Sequence, residues 1–314
     1  SCFSLTPPAY RQSMNIVVIG GAGFIGSHLV DRLLAEGHSV DVVDDLSSGG
    51  LANLAEARAA GGKLKIHHLD STAAEGTSLI GIRRPDVMYH LAVFPRPQRS
   101  LNETANGFAS ALTVLDAARQ FGVGKVVVAL PATAMYGLPS VRSLPVKETD
   151  PVPRGVRGVV ARAVFDLLST YREQEMVEFS ALALSSVYGA RQHHEGGVVA
   201  AFQRAINEGS AASVTGDGRQ TRDFIYIDDV VDALVRAGER STGLLINVGT
   251  GVQTSIRDLW TKMSGDALGT PHLVPARRDE LLCFAASPVR ARIHLGWSPW
   301  TDLDTGLVQL RSRC

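Results

Sequence analysis

IGGAGFIGSH, residues 19–28, is the stretch that decides the fold. Gly20, Gly23 and Gly26 are spaced GxxGxxG between two regular elements. NIVVI (15–19) before them has the apolar run of a buried strand. FIGSHLVDRLLAEG (24–37) after them has the period of an amphipathic helix closed by Gly37. A strand, a glycine turn and a helix in this order build a dinucleotide cradle. The first glycine permits the tight turn, the second lets backbone approach a pyrophosphate, and the third lets helix and strand pack closely. The helix N-terminus adds free N–H groups and a positive dipole end. An acid follows where a ribose acceptor belongs: Asp44, eighteen residues after Gly26, at the end of SVDVV (39–43). A carboxylate there repels a 2′-phosphate, which favours NAD over NADP. The competing reading is a glycine turn kept only for packing.

On either side of this stretch, apolar strands alternate with helices. KLKIHH (63–68), DVMYHLA (86–92), KVVVAL (125–130) and EFSALAL (178–184) read as strands. Helices are expected over about 104–121 and 156–174. This is the pattern of an α/β, Rossmann-type doubly wound parallel sheet with helices on both faces. After Gly189 the segments shorten and turns multiply, as in TGDGRQTRD, NVGTG and GWSPW. A smaller C-terminal substrate-binding domain is expected there. The division is 1–13 as a loose extension, 14–185 as the dinucleotide domain, and 186–314 mainly as the substrate domain, with about 225–250 returning to the first.

The formal net charge is zero, so nothing draws the chain as a whole to nucleic acid or an anionic membrane. No apolar run is long enough for a transmembrane helix, and SCFSLTPPAYRQS lacks the features of a signal peptide. Cys2, Cys283 and Cys314 are odd in number and show no CxxC spacing. A reduced, cytoplasmic setting without a metal site is the expectation. No HExxH, GxSxG or Walker loop occurs.

GGAGFIG, VVDDLSSG and DVMYHLA resemble the extended short-chain dehydrogenase/reductase superfamily. Within it they are similar to the NAD-dependent nucleotide-sugar epimerases and dehydratases, the UDP-glucose 4-epimerase-like group. AMYG (134–137), ETDPVP (148–153), VYG (187–189), GDG (216–218), RDFIYIDD (222–229), NVGTG (247–251) and LGW (295–297) extend the resemblance over about 14–311. It implies that Gly20, Gly23, Phe24, Ile25 and Gly26 hold the NAD diphosphate. Asp44, with Asp45 and Ser47 beside it, would hold the adenosine ribose. Asp70 would meet the adenine, and Leu91 and Ala92 would line the groove. Arg222 and Arg277 fit the arginines that clamp a sugar-nucleotide diphosphate, a task suited to guanidinium forks. Each also has a plainer reading: an ion pair of Arg222 with Asp223 or Asp228, and a solvated charge run around Arg277. A homodimer through the two long helices is a further implication. The apolar face Val159, Val160, Val164, Leu167 and Leu168 suits that bundle or internal packing equally.

The resemblance breaks where the chemistry sits. The family uses a tyrosine for proton transfer, a lysine four residues later, and a serine or threonine. These positions fall at Arg157, Ala161 and Ala132, with Thr133 one residue late. No tyrosine in the chain is followed four residues later by lysine, and 156–174 contains no lysine. On the substrate side, the family's asparagine falls at Ser186, its arginine at Ala183, and another asparagine at Gly107 beside Asn106. A positioned acid–base group contributes on the order of 10²–10⁴ in rate. Arg157 stays protonated and is no base, though it can supply fixed charge. His193-His194-Glu195 are weaker acid–base candidates, and His90 and His67-His68 read as structural. Three readings stay open: an NAD-dependent nucleotide-sugar enzyme with a rearranged proton-transfer group, a non-catalytic NAD-binding relative, and a non-redox elimination or cyclisation enzyme.

Overall fold

The computed structural model describes residues 13–94, 101–149, 151–240, 242–265, 268–276 and 280–312. In chain order the first half is β1 (Asn15–Ile19), α1 (Phe24–Ala35), β2 (Ser39–Asp44), α2 (Ala55–Ala59), β3 (Leu64–His68), α3 (Ala74–Arg83), β4 (Val87–His90), α4 (Leu101–Phe121), β5 (Lys125–Pro131), α5 (Ala132–Met135), α6 (Gly155–Glu175) and β6 (Phe179–Leu184). The second half runs β7 (Ser186–Tyr188), α7 (Val198–Asn207), β8 (Ser213–Thr215), β9 (Thr221–Arg222), β10 (Phe224–Tyr226), α8 (Ile227–Glu239), β11 (Leu244–Val248), β12 (Thr254–Ser255), α9 (Ile256–Ser264), β13 (His272–Val274), α10 (Val289–Leu295) and α11 (Leu303–Ser312).

Seven strands form one parallel sheet in the order β3-β2-β1-β4-β5-β6-β11. This is the Rossmann-like α/β fold that the alternating pattern predicts. The pleat divides the sheet's side chains between two cores. Ile16 and Val18 face α1 and α8, whereas Val17 and Ile19 face α3, α4 and α6. Burial on both faces explains why the central strands β1 and β5 are runs of valine, isoleucine and leucine without polar alternation. The chain order reverses between β1 and β4. At such a switch point the crossovers leave in opposite directions, so a crevice opens beyond the carboxyl ends of the strands.

The second half returns to this sheet once, when α8 leads into β11 beside β6. Three two-stranded sheets, β10-β7, β12-β9 and β13-β8, stand apart from it. Two carboxylates fasten these short pieces. Asp223, fully buried, accepts N–H bonds from Thr250, Gly251 and Ala286 and the Thr250 hydroxyl. Asp229 accepts the Thr301 N–H and hydroxyl, each at 3.1 Å. Burial pushes the Asp229 carboxyl up to about 6 against these bonds.

The long helices differ from expectation at their ends. The first stops at Ala35 because the chain turns left-handed at Gly37 (φ +86°) two residues on. The α4 helix begins three residues before the expected Thr104. In α6, Val164 and Leu168 are buried in the subunit, while Val159 is 58% exposed.

Candidate dinucleotide and substrate cleft

A cleft of about 1640 Å³ opens along the carboxyl ends of the sheet and runs under the second half of the chain. Its floor is the glycine turn. Gly20 is left-handed (φ +82°), and a Cβ there would lie 3.1 Å from Ala92 N. A Cβ on Gly26 would strike the Gly20 carbonyl oxygen. The turn therefore has no room for side chains at these positions, and bare backbone faces the cleft. The N-cap of α1 is Gly23, which supplies no side-chain acceptor to the first turn. Its N–H groups are available to an external anion, as a diphosphate cradle requires. Phe24, Ile25, Leu91 and Ala92 line the same floor.

Asp44 closes one wall. Its carboxylate accepts the Ala22 N–H and the Leu46 N–H, both at 2.8 Å, tying the glycine turn to the end of β2. Burial raises its pKa, and these two bonds oppose the rise. Each oxygen keeps a second lone pair, so the brace and a ribose contact are compatible. Asp45 and Asp70 brace their own loops. Asp45 accepts the Ser47 N–H and hydroxyl, and Asp70 accepts the Thr72 N–H and hydroxyl. All four residues, Asp44, Asp45, Ser47 and Asp70, line the cleft.

The opposite wall carries the start of α6, where the resemblance places the reactive tyrosine and lysine. The chain reaches α6 through Gly155 (φ +65°), and a Cβ on Gly158 would strike the Ala134 carbonyl. That close approach sets the start of α6 against α5. Arg157 then lies half-buried in the cleft, its guanidinium carbon 4.8 Å from the centre of the Phe94 ring. Its Nη2 donates to the Phe94 carbonyl at 3.4 Å. Burial pulls Arg157 down to about 10, with Glu103 opposing, so it remains charged at neutral pH. Ala161 and Ala132 are fully buried methyl groups outside the cleft lining. Thr133 does line it, and its hydroxyl has no hydrogen-bond partner among the described residues.

On the substrate side, Ser186 and Arg222 line the cleft. Arg222 forms no ion pair with Asp223 or Asp228. Its Nη1 donates to the carbonyls of Thr221 and Leu281, at 2.8 and 2.7 Å. This fixes one edge of the guanidinium. Arg277 lies outside the described residues. His193 and His194 stack at the rim with ring centres 4.0 Å apart. Among the described residues no cluster of side chains is suited to a metal ion, and no helix is long and apolar enough to cross a membrane.

Sequence reasoning passed over three features. Phe94, the platform under Arg157, stands four residues past β4 in a loop without a recognisable pattern. Asp223 reads as an ion-pair partner in sequence but is a hydrogen-bond hub. Tyr136, in the AMYG motif, donates to Asn247 Oδ1 at 2.6 Å, while Asn247 donates to Val146 and Glu148. The motif NVGTG signalled the last of these, without revealing its partners.

The NAD dependent epimerase/dehydratase family model matches residues 16–249. A UDP-glucose 4-epimerase of Mycolicibacterium smegmatis is 40% identical over 311 residues, covering 94% of this chain and 97% of its own. The crystal structure of UDP-glucose 4-epimerase from Thermotoga maritima, with UDP-glucose, superposes with a TM-score of 0.89 at 31% identity, covering 96% of this chain and 98% of that one. The Thermus thermophilus UDP-glucose 4-epimerase complex with NAD gives 0.85 at 28%, covering 95% and 98%.

Proposed function

Because the chain belongs to the NAD dependent epimerase/dehydratase family, we propose that it binds NAD and a nucleotide-linked sugar in one cleft and acts on the sugar with a rearranged proton-transfer group. The observation that carries the cofactor half is the glycine turn, whose Gly26 admits no Cβ and whose helix N-terminus has no internal cap. Bound NAD would take and return a hydride. Gly20, Gly23, Phe24, Ile25 and Gly26 would hold its diphosphate. Asp44, Asp45 and Ser47 would meet the adenosine ribose, Asp70 the adenine, and Leu91 and Ala92 the remaining floor.

On the opposite wall, the Arg157 guanidinium offers a permanent positive charge, as the usual lysine would. Thr133 offers an unengaged hydroxyl within the cleft, able to orient a sugar oxygen. Neither is a base near neutral pH. Arg222, with one edge held by carbonyls, presents the rest of its fork to a substrate phosphate. Arg277 belongs to the same expectation, and Ser186 lines the cleft with Arg222. Residues 186–314 would form the substrate-binding part, with 225–250 supporting the sheet. A homodimer through α4 and α6 accords with the exposure of Val156 and Val159 on α6.

A second reading, NAD binding without turnover, is favoured by Ala132 and Ala161, whose buried methyl groups replace two reactive side chains. One experiment separates the two. Purified protein is incubated with NAD and a panel of UDP- and dTDP-sugars while product and transient NADH absorbance are followed. Conversion of any member supports the enzyme. NAD binding by calorimetry with no conversion and no NADH leaves the binding protein. Absence of NAD binding overturns both.

A further inference from the structure

One buried titratable group takes no part in the function proposed above. His90 ends β4 and is fully buried, and its Nε2 lies 3.0 Å from Ser110 Oγ on α4. Ser110 Oγ lies 2.5 Å from Ser71 Oγ, just past β3. His90 Nδ1 is buried with no hydrogen-bond partner among the described residues. Ser71 lines the cleft between Asp70 and Thr72, and its hydroxyl has no other partner among the described residues. The three side chains thus form a line from the interior to the cofactor cleft.

The direction of the protons along this line follows from the unpaired nitrogen. Burial keeps the ring neutral, pulling its pKa down to about 3, so it carries one N–H. If that hydrogen were on Nδ1, a donor would be buried without an acceptor, an arrangement that folded proteins nearly always avoid. With the hydrogen on Nε2, the ring donates to Ser110. The Ser110 hydroxyl, having accepted that bond, donates to Ser71. Ser71 Oγ has then received its bond, and its own hydrogen is left to point into the cleft. The opposite tautomer would reverse every step and leave Ser71 presenting lone pairs.

We infer that His90 and Ser110 are positioning residues that commit the Ser71 hydroxyl to donate to an acceptor atom on the adenosine half of the bound dinucleotide. The assignment to that half rests on the NAD reading and on position. Ser71 follows Asp70 on the β3 side of the crevice, with Asp44 at the end of neighbouring β2, whereas Thr133 and Arg157 occupy the other side.

The test compares binding of NAD, ADP-ribose and nicotinamide mononucleotide to the wild-type protein, Ser71→Ala and Ser110→Ala by calorimetry. Ser71→Ala should weaken NAD and ADP-ribose equally, by about five- to tenfold, and leave the mononucleotide unchanged. Ser110→Ala should cost less, about two- to threefold, because Ser71 keeps its hydroxyl but loses its fixed direction. Unchanged affinity in Ser71→Ala, or an equal loss for the mononucleotide, overturns the inference. Nitrogen-15 shifts of the His90 imidazole give a readout that a purely structural role would not move. Protonated Nε2 supports the chain and protonated Nδ1 overturns it, even if Ser110→Ala fails to fold. A wild-type protein that binds neither NAD nor ADP-ribose overturns the NAD reading itself, a result distinct from a defect confined to Ser71→Ala.

Discussion

The glycine turn at 20–26 and the first turns of α6 lie on the same cleft, and they respond differently to the same family template. In the turn, backbone does the work: a diphosphate needs N–H groups and space, and three glycines supply both. At the start of α6 the template needs functional groups at specific atoms. Where the resemblance puts the reactive side chains, this chain has the Arg157 guanidinium and the buried methyl groups of Ala161 and Ala132. Gly158 of α6 still serves packing, since it brings the helix against Ala134. Under the function proposed above, the cleft wall keeps its shape while its reactive atoms differ. Fold and reactivity are separable here because backbone geometry and side-chain chemistry place independent demands on a sequence.

Four experiments test this contrast. The largest effect should come from restoring the template with Ala132→Ser, Arg157→Tyr and Ala161→Lys together. Turnover of the right sugar nucleotide should rise on the order of 10²–10⁴-fold, the usual contribution of a positioned acid–base group, as followed by product formation. No increase with any sugar nucleotide would mean that the rest of the wall has diverged too. Gly26→Ala should next lower NAD affinity about a hundredfold and destabilise the fold by about 1–3 kcal/mol, since its Cβ meets the Gly20 carbonyl. Calorimetry and thermal melts would check this, and wild-type affinity would break the cradle reading. Arg157→Leu removes charge from the other wall only. Sugar-nucleotide affinity should fall about tenfold with ADP-ribose binding unchanged. Equal losses for both ligands would erase the distinction between the walls.

The smallest effect concerns the frame on which both walls hang. Asp229 titrates near 6 in the folded protein, above its ordinary 3.8. Between these values the folded state holds a proton that the unfolded state has lost. Its contribution to stability is therefore full below pH 4 and lost as pH rises through about 6. Melting temperatures of the wild-type protein and Asp229→Asn across that window should diverge, the wild type losing ground as pH rises. Parallel curves would remove Asp229 from the account.

Much of this was legible in the sequence. The strand, glycine turn and helix at 15–37 predict a parallel α/β sheet, and the sheet is there. The missing YxxxK is a property of the sequence alone, and no folding event could restore it. Local order is readable because hydrophobic period, glycine spacing and turn residues act over a few neighbours.

What the tertiary structure decided was partnership. Arg222 reads as a phosphate clamp or as the partner of a nearby acid, and folding gave it no acid among the described residues but held one edge of its guanidinium on the carbonyls of Thr221 and Leu281. Arg157 acquired Phe94 from sixty-three residues away, and Ser71 acquired Ser110 and His90. Asp223 draws donors from Thr250, Gly251 and Ala286, segments that meet only when β11 joins the sheet beside β6. Hydrogen bonds and ring contacts are satisfied at about 3–5 Å in space whatever their separation along the chain. A residue's type is written in the sequence, but its partner is chosen by the packing of the sheet.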